Sequence, residues 1–237
     1  MSEIYRQRDV WKSKPILKKV YADIYARMAR YALPGTNLEI GSGGVNLISN
    51  HQNTIHTDIQ NVSWVDVVSD AHKMPFDKNT FDNIFMLDVL HHLHSPVLFF
   101  EESRYILKKG GRIIMVEPAI TLFSGFFYKN FHSEPVNLNV DVFKNKLSTD
   151  DPYDSNQAIP TLLFKDVKNF EKNIKDFRII TKKEFSLLTY PLSGGFRNWS
   201  LLPVFLYPLV FKLESYLEKI LSQIMGFRLL VVLEKIN

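Results

Sequence analysis

Short apolar runs alternate with helix-patterned segments across the first half of the chain, and this alternation restricts the fold more than any other feature. From Lys14 to Ala32 the apolar residues Ile16, Leu17, Val20, Tyr21, Ile24, Tyr25, Met28 and Tyr31 recur in steps of three and four, which predicts an amphipathic helix closed by Pro34-Gly35. NLEIGSGG then reads as a short buried strand entering a glycine turn, followed by one or two turns of helix. Further strands are predicted at Ile55–Ile59, Trp64–Val68, Phe81–Val89 and Arg112–Val116. Ser95-Pro96 marks a helix start, with Ser95 as cap, and that helix is predicted to run to Leu107 and stop at Gly110-Gly111 behind two lysines. Alternation of this kind gives an α/β fold, a mostly parallel sheet with helices on both faces. Ligands of such sheets bind beyond the carboxyl ends of the strands, so side chains there are the ones to weigh.

Composition removes several classes. The 237 residues contain no cysteine, which excludes disulfides, iron–sulfur clusters, cysteine-ligated zinc and a thiol nucleophile. The net charge is +4, and the lysines of KDVKNFEKNIK are interleaved with acids, a solvated helix face more than a phosphate-binding stripe. Nucleic acid is therefore not an expected partner. MSEIYRQRDVWKSKP has no apolar core of a secretory signal, and a cytoplasmic setting is expected. LLPVFLYPLVF, Leu201 to Phe211, is interrupted by Pro203 and Pro208 and falls well short of the roughly 20 residues that a spanning helix needs. Beyond residue 119 the pattern loosens. A turn-rich segment lies at 148–152, a helix is predicted near Phe164–Lys175, strands at Arg178–Leu188 and Phe227–Ile236, and a helical tail at Glu214–Met225.

Within the ordered half, Gly41, Ser42 and Gly43 follow Glu39 where the first strand ends. Glycines there admit close approach of a ligand to the backbone, and they equally suit a tight strand-to-helix turn. Asp58, at the end of the second strand, suits the vicinal hydroxyls of a ribose or a simple turn cap. Asp70-Ala71 could meet an adenine edge, and Ile59 and Met74 supply apolar faces or core. A dinucleotide fingerprint would require glycine at position 46, where Asn46 stands.

Taken in order, LEIGSGG, TDI, SDAHKMPF, FDNIFMLDVLHHLHSP and EESRYILKKGGRIIMVEP resemble the class I S-adenosylmethionine-dependent methyltransferases of small-molecule type. The resemblance implies a Rossmann-like seven-stranded sheet in the order 3-2-1-4-5-7-6 with the seventh strand antiparallel, and S-adenosylmethionine as cofactor. It further implies that Glu39, Gly41 and Gly43 line the methionine end, Asp58 holds the ribose, Asp70 and Ala71 the adenine, and that Asp88 lies beside the methionine portion. The family's third glycine is replaced by Val45. One domain is expected over 1–237, with a helical cap at 1–35, a cofactor core at 36–118 and acceptor-side insertions at 119–177 and 189–226.

Methyl transfer to a hydroxyl also needs a base. His92 and then His91 are the candidates, with Glu117 at the neighbouring strand end as partner or alternative base, although paired histidines at such a junction also pack and cap. No metal is expected: consecutive rings diverge, and His91, His92 and His94 lack helical ligand spacing. The insertions are rich in aromatic residues, among them Phe123, Phe126, Phe127, Tyr128 and Phe131, then Trp199, Phe205, Tyr207 and Phe211. They suit packing onto the core, a lid over an apolar acceptor, or peripheral contact with lipid. The layout, including PLSGGFRNWSLLP, is similar to bacterial proteins associated with surface polysaccharide or glycolipid assembly, which points to a sugar or glycolipid hydroxyl. Other outcomes are a quinone or lipid acceptor, or cofactor binding without turnover.

Overall fold

The strands close into one sheet in the order β3-β2-β1-β4-β5-β7-β6, as the resemblance implies. They are β1 (Asn37–Ile40), β2 (Thr54–Asp58), β3 (Val67–Val68), β4 (Phe81–Leu87), β5 (Leu107–Pro118), β6 (Phe177–Phe185) and β7 (Arg228–Lys235). The first five pair in parallel, and β7 lies antiparallel to both β5 and β6. This computed structural model describes residues 3–44, 53–144 and 154–237. The helix expected after the glycine turn, with Val45 and Asn46, and the turn-rich 148–152 lie outside the described residues.

The central strands are apolar without interruption because both faces of the sheet are covered, and a period of two sorts their residues between two cores. Ile113, Met115, Leu229, Val231 and Leu233 join Phe99, Phe100, Phe164 and Phe170 on one face. Ile114, Val116, Leu230 and Val232 join Leu17, Val20, Ile24 and Met28 on the other. The first face is covered by α3 (Pro96–Ile106), α5 (Ile159–Phe164) and α6 (Val167–Asn173), and the second by α2 (Pro15–Ala29). Ser95 caps α3 as expected, its hydroxyl accepting the Leu98 N–H at 3.3 Å.

Several boundaries differ from expectation. The cap holds two helices, because α1 (Glu3–Ser13) precedes α2 and Pro15 restarts the helix. The helix predicted to reach Leu107 ends at Ile106. Lys108 and Lys109 lie in β5 and not at a helix C-terminus, since Leu107 is already extended and pairs with Phe81. Gly110, at φ +77°, lies within β5 where its register with β4 shifts, between the Phe81–Leu107 and Asn83–Arg112 pairs. β3 is only two residues long, because the chain before it turns, with the Val65 N–H on the Val62 carbonyl at 3.2 Å, and the Trp64 indole in that turn donates to the Gly43 carbonyl at 2.6 Å. In the second half α4 (Leu122–Phe131) and α7 (Thr189–Ser193) had no clear periodic signature. α8 (Tyr207–Met225) begins seven residues before Glu214, with Pro208 in its first turn.

Because Ile114 is fully buried at the centre of the second core, Ile114→Ala should lower unfolding free energy by about 2–5 kcal/mol. Denaturant titration checks this.

Candidate active site

A cavity of about 970 Å³ opens at the carboxyl ends of β1, β2 and β4, within the size range of small-molecule sites. One half is built from the glycine turn and the tips of β2 and β3. Gly41 has φ +70°, and a Cβ there would come within 2.3 Å of Val89, so this position is closed to other residues. Gly43 donates its N–H to Asp58 Oδ2 at 2.9 Å, and Gln60 donates to Oδ1 at 2.8 Å. Each carboxylate oxygen of Asp58 therefore keeps a lone pair for another donor. Burial raises the Asp58 pKa above the ordinary range for a carboxyl, against the pull of those amides. Ser42 is buried, its N–H on the Thr57 carbonyl. Ile59 is exposed at the cavity wall, and Ala71 is buried beside Asp70. Asp70 Oδ1 accepts the His72 backbone N–H at 2.8 Å and meets His72 Nδ1 at 2.6 Å.

The other half is polar at its base and aromatic above. Asp88, at φ +58°, follows β4 and pairs through both oxygens with Arg228, the first residue of β7; the Nη2–Oδ2 distance is 2.7 Å. The guanidinium is buried, 3.9 Å from the centre of the Tyr190 ring. Next come the two histidines, in a 3₁₀ turn over Leu90–His92. His91 is clamped between two glutamates, with Nδ1 2.7 Å from Glu117 Oε2 and Nε2 3.3 Å from Glu134 Oε2. Burial opposes a charge on His91, but the bonds to Glu117 and Glu134 outweigh it and raise its pKa to about 10. His92 Nδ1 lies 3.3 Å from a carbonyl, that of Asp154. A carbonyl can only accept, so Nδ1 carries the proton and Nε2 the lone pair. Burial, then the neighbouring His91 charge, lower the His92 pKa, and the ring is neutral at pH 7.

One sequence-based expectation changes, and two others gain a partner. Glu39 does not line the cavity. It lies behind the turn with its carboxylate on His56 Nδ1 (2.6 Å) and the Tyr25 hydroxyl (3.2 Å). Glu117 partners His91 and not His92, and it has no path to an acceptor. It is fully buried, its Oε1 accepting the N–H groups of Val89 and Leu90. Asp88 lines the cavity, but its carboxylate is committed to Arg228. Arg228, Tyr190 and Glu134 were missed. Arg228 is a lone charge opening an apolar strand, which was a usable signal; Glu134 sits in a loop without pattern. His91, His92 and Glu134 each offer one ligand atom within 4.8 Å of the others, as do Asp88, His91 and Glu117.

The sheet order, the antiparallel β7 and the cavity at the strand tips are joined by a match of residues 25–115 to the family described as "Methyltransferase domain". The chain carries a methyltransferase domain, matched over residues 25–115, on the fold of the class I S-adenosylmethionine-dependent enzymes. No curated protein matches its sequence. This methyltransferase shares its fold with an S-adenosylmethionine-dependent methyltransferase from Archaeoglobus fulgidus, at 16% identity over 92% of this chain and 94% of that one, TM-score 0.56. A candidate S-adenosylmethionine-dependent methyltransferase from Listeria monocytogenes superposes at 12% identity over 91% and 99%, TM-score 0.50. The [4+2]-cyclase SpnF does so at 16% identity over 90% and 80%, TM-score 0.50.

The groups present fit the cofactor of the methyltransferase. The Asp58 carboxylate can accept from a pair of hydroxyls, and Gly41 and Gly43 place no side chain between the backbone and the cavity.

Asp88→Asn would keep the left-handed backbone, which asparagine tolerates, while leaving the buried Arg228 guanidinium without its countercharge. The methyltransferase should lose about 3–5 kcal/mol of stability, read by denaturant unfolding.

Proposed function

We propose that this methyltransferase transfers the methyl group to a hydroxyl of a sugar or glycolipid, with His92 as the general base. Bound S-adenosylmethionine supplies an electrophilic methyl on a sulfonium, passed on by in-line displacement. Asp58 would hold the ribose hydroxyls, Asp70 and Ala71 the adenine, and the turn at Gly41, Ser42 and Gly43 the amino-acid end, with Ile59 against the purine. Asp88 and Arg228 would shape the wall beside the methionine portion. Glu39 would act only through Tyr25, which does line the cavity.

The observation that carries the reading is the unequal state of the two histidines. His91 has both ring nitrogens on carboxylates, so it has no lone pair with which to take a proton. His92 has one nitrogen on a carbonyl, is neutral and lines the cavity. An acceptor hydroxyl on His92 Nε2 would lose its proton there as the new C–O bond forms. The His91–Glu117–Glu134 set would orient His92 through ring contact, with centroids 4.2 Å apart. Orientation of the reactants accounts for most of such a rate enhancement, and a base adds about 10²–10⁴-fold. Support for a sugar is the pairing of this polar floor with aromatic walls, Phe127, Phe131 and Trp199, which suits a ring with polar edges and apolar faces.

His92→Ala should lower kcat for a hydroxyl acceptor by about 10²–10⁴-fold with little change in cofactor affinity. In the unaltered protein, activity should be flat at and above neutrality. It should fall on acidification through the lowered His92 pKa, below 6.5, where the base becomes protonated. An unchanged rate in the variant, or transfer to an amine or quinone but never to glycans or lipid-linked sugars, would overturn the reading. Because a cyclase shares this fold, label transfer and not binding is the deciding measurement.

Asp58→Ala should weaken binding of S-adenosylhomocysteine by about 1–3 kcal/mol in calorimetry. Equal affinity would place the ribose elsewhere.

A further inference from the structure

Helix α8 is amphipathic with its polarity reversed. Its acids face inward: Glu214 accepts the N–H groups of Leu188 (2.9 Å) and Thr189 (2.5 Å), and Glu218 accepts the Ser186 N–H at 2.9 Å and pairs with Arg27 at 2.8 Å. The opposite face carries Leu209, Leu213, Tyr216, Ile220 and Ile224, all exposed and spaced four, three, four and four apart, so that they form one stripe. α4 packs beside α8 and adds Leu122 and Phe126; the segment leading into α8 adds Leu201 and Phe205. Leu122 and Phe205 are 82% and 79% exposed, so the protein's own chain, among the described residues, does not cover them.

Two further observations say what does. Every exposed charged side chain on α4 and over 196–225 is cationic, namely Lys129, Arg197, Lys212 and Lys219. Lys212 and Lys219, seven residues apart, run along one edge of the α8 stripe. The face is also continuous with the mouth of the active site, since the exposed Phe131 and Trp199 line the cavity as well. An apolar stripe whose exposed charged neighbours are all cations is the pattern of a helix lying in the interface of an anionic bilayer. Among the described residues no helix is long and apolar enough to cross a membrane.

We propose that α4, residues 199–206 and the outer stripe of α8 dock the protein onto an anionic lipid surface, with the cavity mouth turned toward the headgroups. This does not depend on which acceptor is methylated. Co-sedimentation of the full chain with phosphatidylglycerol–phosphatidylcholine vesicles should show binding that pure phosphatidylcholine does not support and that high salt weakens. Leu213→Glu/Ile220→Glu, at exposed positions away from the cavity, should reduce it about tenfold or more. Lys212→Gln/Lys219→Gln should reduce it roughly ten- to thirtyfold. Calorimetry with S-adenosylhomocysteine, unchanged in both variants, confirms that they fold. Absence of binding by the folded wild-type protein overturns the proposal. So does a dimer in solution that Leu213→Glu/Ile220→Glu converts to monomer, for then a second copy covers the face.

Discussion

The buried pair of Asp88 and Arg228 is the contact on which the architecture of the site rests. Desolvating a guanidinium costs several kcal/mol unless a countercharge meets it in good geometry, and Asp88 supplies two oxygens. To do so it adopts a left-handed backbone directly after β4, with its N–H on the Val116 carbonyl at 3.0 Å. That turn sends the next residues into the 3₁₀ turn bearing His91 and His92. On its other side Arg228 is the first residue of β7 and lies under Tyr190 of α7. One ion pair thus joins the tip of β4, the antiparallel strand and the second insertion.

From this follows the unlike behaviour of neighbouring histidines. Glu117, on β5, meets His91 because β4 and β5 are adjacent and in register, Leu87 opposite Val116. Its second oxygen takes the amides of Val89 and Leu90, so the carboxylate fixes the turn as well as the ring. The ring of the next residue makes no hydrogen bond to that carboxylate among the described residues and meets a peptide carbonyl instead. Two identical side chains, one bond apart in sequence, end with opposite pKa shifts because burial is compensated by charge in one and not in the other.

The sequence carried the sheet legibly wherever period and punctuation agreed. Strand runs in the core, Ser95-Pro96 and the glycine turn were local signals, and strand order followed from the family resemblance. Boundaries failed where long-range pairing overrode local pattern: Lys108 and Lys109 read as a helix end, yet β4 draws them into a strand. One half of the candidate cavity was readable because Asp58, Asp70 and the glycines sit at strand tips, where backbone geometry fixes them. The half around His91 and Arg228 was not. Glu134 reaches His91 from a loop whose path is set by packing, and the partner of Asp88 lies 140 residues away. Nor did composition announce that the two glutamates of α8 would turn inward while its leucines stayed outside.

The interior position of β7 governs how the chain can be assembled. β6 touches the sheet only through β7, which follows it by about forty residues. At roughly 5–20 residues per second a ribosome takes roughly 2–8 s to make that stretch. Throughout that interval β5 presents an unpaired edge and β6 has no strand to join. Wherever the first five strands pair during synthesis, the sheet closes only when β7 enters between β5 and β6, and that entry seats Arg228 beside Asp88 in the same event.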